Sequence, residues 1–161
     1  MTAEALRDTI SRFLQNHNTL SLATAGRTEP WAASVFYASD DALHLYFVTD
    51  PTTHHGQDLT RNSRVAGTIN ADCADWTQIR GLQLSGHAAQ VSAEDRPAAL
   101  AIYLDKFPAV ARMMDDPASD QERLIGERLA ATPLYQLRPS WVRLIDNAQR
   151  FGFKQELMLG S

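Results

Sequence analysis

The feature that most restricts this chain is a set of short segments in which apolar and polar residues alternate at period two. Leu20, Leu22 and Thr24 alternate with Ser21 and Ala23, and Ala25-Gly26-Arg27 reads as a turn. A second run covers 32–37 and closes at Ser39-Asp40-Asp41. A third covers 43–48, with Leu43, Leu45 and Phe47 on one side and His44, Tyr46 and Val48 on the other. A short helix is expected over 54–62, a fourth strand over 64–71 and a long fifth strand over 78–91. Gly81 and Gly86 in the fifth mark a bulge or a close backbone approach. Late strands are expected at 134–137 and 141–145. Strands this amphipathic cannot build a parallel sheet buried on both faces. Closing them into a small antiparallel barrel of six or seven strands buries one face and removes the edges. The fold class is therefore mainly β with accessory helices, and the helices are expected outside the barrel.

Three helical segments accompany the strands. Leu6, Ile10, Phe13 and Leu14 recur at helical spacing behind Thr2 as N-cap. Pro97 near a helix start precedes Leu100, Leu104 and Phe107. Ser119-x-x-Glu122 has the form of a capping box and opens a helix carrying Leu124, Ile125 and Leu129. Met113 to Asp116 reads as a helix end and a solvated turn.

At 161 residues the chain fits one domain, 1–161. The net charge of −4 argues against nucleic acid as a partner, since phosphate contacts need a basic surface. One cysteine, Cys73, excludes an internal disulfide and suits a reducing compartment. The N-terminal segment lacks the pattern of a signal peptide, and no window approaches the ~20 apolar residues of a membrane span. A cytoplasmic protein is expected.

Standard catalytic motifs are absent: there is no GxSxG, HExxH, Walker loop, GxGxxG or CxxC. The most informative segment is the run TDPTTHHG from Thr49 to Gly56, which leaves a strand and enters a helix. It combines hydroxyls, imidazoles and free backbone N–H groups at a positive helix end, the ingredients of an anion cradle. The simpler alternative is an ordinary helix cap by Thr53 or Asp50. His54 and Asp58 are four apart, but His17, His44 and His87 have no matching spacing, so no metal site is expected. Arg80 opens the fifth strand, and Trp141 and Arg143 share a face of a late one.

In order and spacing, LSLATAG from Leu20, YFVT from Tyr46, RVAG from Arg64 and GLQLSGHA from Gly81 resemble the FMN-binding split barrel of the pyridoxamine 5′-phosphate oxidase-like superfamily. The ending, WVRLIDN from Trp141 and FGFK from Phe151, resembles an uncharacterised bacterial branch of it. The resemblance implies a split β-barrel homodimer with FMN at the interface. It implicates Ser34, Thr49, Thr53, His54 and His55 in holding the phosphate, and Arg80 and Gly81 along the ring system. Trp141 and Arg143 from the partner subunit would close the pocket.

Two departures bear on chemistry. Oxidases of pyridoxamine phosphate place an Arg and a Lys where His54 and His55 stand, and a histidine titrating near ~6.5 carries only part of a charge at neutral pH. Ile145 and Asn147 occupy the places of a substrate-holding His and Arg. The expectation is an FMN-dependent oxidoreductase on an unknown small molecule, with no catalytic residue assigned and pyridoxamine phosphate not the substrate. The alternatives are a non-catalytic flavin store or redox sensor, a haem binder using His87 or His44, and a deazaflavin user.

Overall fold

The computed structural model describes residues 1–26 and 29–160. Arg27, the last residue of the first expected turn, lies outside them. Helix α1 (Ala3–Asn16) precedes strands β1 (Thr19–Ala25), β2 (Pro30–Ser39) and β3 (Leu45–Val48). Helix α2 (His54–Arg61) leads to β4 (Arg64–Asn70) and β5 (Arg80–Gln90). Three helices follow, α3 (Arg96–Lys106), α4 (Pro108–Asp115) and α5 (Asp120–Ala131), and then β6 (Leu134–Asp146) and β7 (Lys154–Met158). All strand pairings are antiparallel in the order β3-β2-β1-β4-β5-β6-β7, and an added β3–β6 pairing closes six of them into a barrel. The alternation did what it predicted: Leu20, Leu22, Val65, Ile69, Leu82 and Leu84 point inward and are buried.

The first helix covers the barrel with one face and exposes the other. Its stripe of Leu6, Ile10, Phe13 and Leu14 belongs to the same buried cluster as the inward strand residues. The α3 helix does lie outside, packing Ala99 and Tyr103 on Ala38, Tyr46 and Leu134. It ends before Pro108, whose ring restricts the preceding residue, and α4 starts there rather than continuing it.

The late strands differ from expectation. Residues 134–137 and 141–145 are parts of one thirteen-residue strand, β6. Pro139 sits inside it because the β5–β6 register shifts between Ser85 and Gly86, and a proline is tolerated at such an irregularity. Gly86 is required there, since a Cβ would fall 2.1 Å from the Arg138 carbonyl oxygen. β6 pairs with β3 through its first four residues and with β7 through Trp141 to Ile145, which splits the barrel. β7 was not foreseen. It is short and solvent-facing, with little buried periodicity to read.

Lys106 locks α3 to α1. Its ammonium donates to the carbonyls of Leu14 (2.9 Å) and His17 (2.6 Å) and lies 4.0 Å over the Tyr37 ring. Tyr37 Oη donates to the same Leu14 carbonyl at 2.9 Å, so the last turn of α1 is held from two sides. Burial pushes Lys106 down to about 8. An unfolded lysine titrates near ~10.4, so across that window the unfolded chain binds more protons and stability rises with pH. The stability difference between wild type and Lys106→Met, measured by urea unfolding, should therefore move in favour of wild type between pH 8 and pH 10. A difference that shrinks or stays flat would refute the assignment.

Candidate functional site

The site grows from the end of β3. Thr49 is buried, and its backbone N–H donates to the Pro133 carbonyl at 3.3 Å, tying this corner to the start of β6. Asp50 then fixes the turn: its Oδ1 accepts from the Thr52 N–H (2.8 Å) and the Thr52 hydroxyl (2.7 Å). Those two bonds hold its carboxyl below the ordinary range, with a smaller contribution from the Arg128 charge. Thr53 Oγ1 donates to the Asp50 carbonyl (2.7 Å) and accepts from the Gly56 N–H (3.1 Å) as N-cap of α2. The cap expected from sequence is thus real, and it leaves the backbone N–H groups of His54 and His55 in the first turn for another acceptor.

The two histidines behave differently. His55 Nε2 lies 2.6 Å from Thr49 Oγ1 and 3.4 Å from Thr53 Oγ1. Burial is the main cause that lowers its pKa below the ordinary imidazole value, and His54 adds to it against the opposing pull of Asp58. His54 instead stacks on Trp31, with ring centroids 4.0 Å apart and an interplanar angle of 7°. Its Nε2 sits 3.7 Å from Asp58, a buried carboxylate that also accepts from the Thr24 hydroxyl at 2.7 Å.

A cleft of about 480 Å³ opens beside this turn, with Ser34, Phe36, Thr49, His55, Arg128 and Thr132 among its walls. The structure therefore brings together Ser34, Thr49 and His55, with Thr53 bonded to His55. The Arg128 side chain was missed by the sequence reading. It reaches the cleft because α5 returns the chain directly to Pro133 and the end of β3, a tertiary relation that helical periodicity does not reveal.

The other expected residues lie elsewhere within one chain. Ser34, Ser21, Thr68, Gln83 and Arg143 are register partners in one row, so Arg143 shares a face with Ser34 but lies four strands along the sheet from it. Arg143 donates to Glu156 Oε1 from Nε (3.0 Å) and Nη2 (2.7 Å), and Trp141 Nε1 donates to Glu156 Oε2 at 3.1 Å. The guanidinium lies 4.9 Å from the Trp141 ring. Gly81 is two residues further along β5 from that row, and Arg80 faces the buried Asp146 at 3.3 Å.

The candidate haem histidines share a second cavity of about 480 Å³ with Arg7, Arg138, Pro139 and Leu159. His44 holds Asp40 through Nδ1 (3.0 Å) and His87 meets the Ser63 hydroxyl through Nδ1 (3.0 Å). Among the described residues no three His, Cys, Asp or Glu side chains gather as a metal site, and no helix is long and apolar enough to cross a membrane.

Comparison with known proteins places this geometry. Residues 6–146 match the family model described as pyridoxamine 5′-phosphate oxidase. A UPF0306 protein of Klebsiella pneumoniae is 29% identical over 146 residues, covering 90% of this chain and 88% of that one. A haem binding protein from Mycobacterium smegmatis superposes with a TM-score of 0.70 at 20% identity, covering 98% of this chain and 58% of that one. HutZ, the haem storage protein of Vibrio cholerae, does so with a TM-score of 0.58 at 17% identity, covering 82% and 88%. The two solved structures share the fold.

Gly56 sets how closely α2 approaches the Asp50–Pro51 turn, because a Cβ there would fall 2.6 Å from the Asp50 carbonyl oxygen and 2.8 Å from Pro51 Cα. Gly56→Ala should cost about 1–3 kcal/mol by overpacking, outweighing the ~1 kcal/mol of helix propensity it gains. Gly160→Ala, with nothing within 4 Å of its Cβ, should stay within about 0.5 kcal/mol of wild type. Urea unfolding of both variants checks the pair.

Proposed function

This chain belongs to the pyridoxamine 5′-phosphate oxidase family, and on that premise we propose that it is a homodimeric FMN-binding oxidoreductase acting on a small molecule. The observation that carries this is the convergence of Ser34, Thr49 and His55 on one cleft at the N-terminus of α2, with the Thr53 hydroxyl bonded to His55. The donor set suits a phosphate: hydroxyls, an imidazole and the N–H groups of His54 and His55 at the positive end of a helix. FMN, when bound, would supply the electron and hydride chemistry. The chain's own residues orient it, and Thr49 and Thr53 fix the imidazole that faces the cleft.

The dimer is supported by the outer face of the sheet. Ser21, Ala23, Ser34, Ala66 and Thr68 form a surface of small side chains beside Phe36, which is 61% exposed. The separation of Arg143 from Ser34 supports assigning Trp141 and Arg143 to the pocket completed in the other subunit, with Arg80 and Gly81 bordering the ring system. Pyridoxamine phosphate fits poorly as substrate. Arg143 is already paired with Glu156, and Asn147 is spent on the Trp76 carbonyl and the Gly152 N–H.

Haem is the second reading. It is favoured by His44 and His87 lining one cavity with two arginines able to meet carboxylates. Relatives of the same fold are described as haem binding and haem storage proteins.

An absorbance spectrum of purified protein, repeated after addition of FMN and gel filtration, should show a retained flavin band. The double variant Thr53→Val/His55→Ala should lose it, and full occupancy in that variant would remove the cradle. Oxidation of NADH or NADPH by the loaded protein separates an enzyme from a flavin store or sensor. A Soret band after haem addition that disappears in His44→Ala and His87→Ala, with no flavin retained, would favour haem. Failure of both leaves a deazaflavin as the cofactor to try.

A further inference from the structure

We propose that Arg128, on α5, is the cation that neutralises the cofactor's phosphate, so that selectivity for a phosphorylated flavin resides in this helix and not in the turn after β3. The inference rests on the flavin reading of the cleft. A phosphate monoester carries about −1.5 to −2 charges at neutral pH, and the turn offers no fixed positive charge to meet it. Burial lowers the pKa of His55 and so disfavours its charged form. His54 is stacked on Trp31 and faces Asp58. Asp50, also on the wall of the cleft, adds a negative charge. Among the described residues lining the cleft, Arg128 alone is permanently cationic.

Its guanidinium is free for the task. Arg112 and Arg123, on the same helical hairpin, are ion-paired with Glu122 and Asp120, while the Arg128 side chain has no hydrogen-bond or ion-pair partner among the described residues. Its backbone carbonyl accepts from the Thr132 hydroxyl at 2.6 Å and the Thr132 N–H at 2.9 Å, and its charge acts on the Asp50 carboxylate, which lines the same cleft.

The helix that presents it is fixed at several points. Ser119 caps it by accepting from the Glu122 N–H at 3.2 Å. Arg112 donates to both oxygens of Glu122, at 2.9 and 2.8 Å, and binds α4 to α5. Gly126 lets the helices touch, because a Cβ there would fall 2.7 Å from the Met113 carbonyl oxygen. At its far end the chain runs through Pro133, which accepts from the Thr49 N–H. A planar guanidinium with several free donors on a braced helix is the group such a dianion requires.

The discriminating experiment measures FMN and riboflavin, which differ only in the phosphate, against wild type, Arg128→Gln and Arg128→Lys by flavin fluorescence quenching. Circular dichroism checks that the variants fold. Arg128→Gln should weaken FMN by about 10- to 100-fold and leave riboflavin unchanged, with Arg128→Lys recovering part of the loss. Unchanged FMN affinity in Arg128→Gln, or an equal loss for FMN and riboflavin, overturns the role of Arg128 while the flavin reading stands. Wild-type protein that binds neither flavin overturns both.

Discussion

Everything in this molecule is arranged around one strand that serves two neighbours in turn. β6 keeps β5 along one edge throughout, while its other edge passes from β3 to β7 partway along. The handover occurs where Gly86 and Pro139 face each other, since Pro139 has no N–H to give a ladder and Gly86, lacking a Cβ, lets the bulged backbone approach closely. The first half of β6 closes a barrel and the second half leaves it. The phosphate-like cleft lies beside the residue before Leu134, and Arg143 lies near the opposite end. The two groups of site residues therefore lie on different stretches of the sheet, and the proposed dimer would bring them to one ligand.

Charge is distributed in the same divided way. The turn after β3 is built from neutral donors: Thr53 is consumed as a cap, His55 is desolvated, and His54 is stacked away. Permanent cations come from helices and strands remote in sequence, Arg128 at the first cavity and Arg7 and Arg138 at the second. Locating positive charge on separately braced elements makes recognition depend on tertiary docking. The turn itself is then free to hold a strict backbone geometry, which Gly56 and the Asp50 side chain enforce.

How much of this was legible in the sequence follows from which forces act locally. The inward faces of β1, β4 and β5 were readable because burial of alternate residues is written at period two. The Thr2 and Ser119 caps were readable because a cap acts on a backbone N–H two or three residues away. The turn from Thr49 to Gly56 stood out for the same reason. The unity of β6 was not readable, because Pro139 looks like a terminator until its partner Gly86 is known. β7 escaped because only its contacts with β6 define it. Where α1 packs escaped because its stripe says that it covers something apolar, not what.

The burial of His55, which disfavours its charged form, bears on why the cleft keeps a histidine at all. Its Nε2 touches two hydroxyls, so the ring can accept from one or donate to it according to its tautomer. The Thr53 hydroxyl already donates to the Asp50 carbonyl, so it is the tautomer that donates from Nε2 that leaves the Thr49 hydroxyl able to turn its hydrogen toward an acceptor in the cleft. A lysine in that place would be a stronger point charge, but burial would penalise the ammonium and draw it toward the Asp58 carboxylate. A neutral, adaptable donor set with one arginine on an adjoining helix separates two tasks. The turn supplies geometry, and Arg128 supplies the charge that distinguishes a phosphorylated ligand from its parent alcohol.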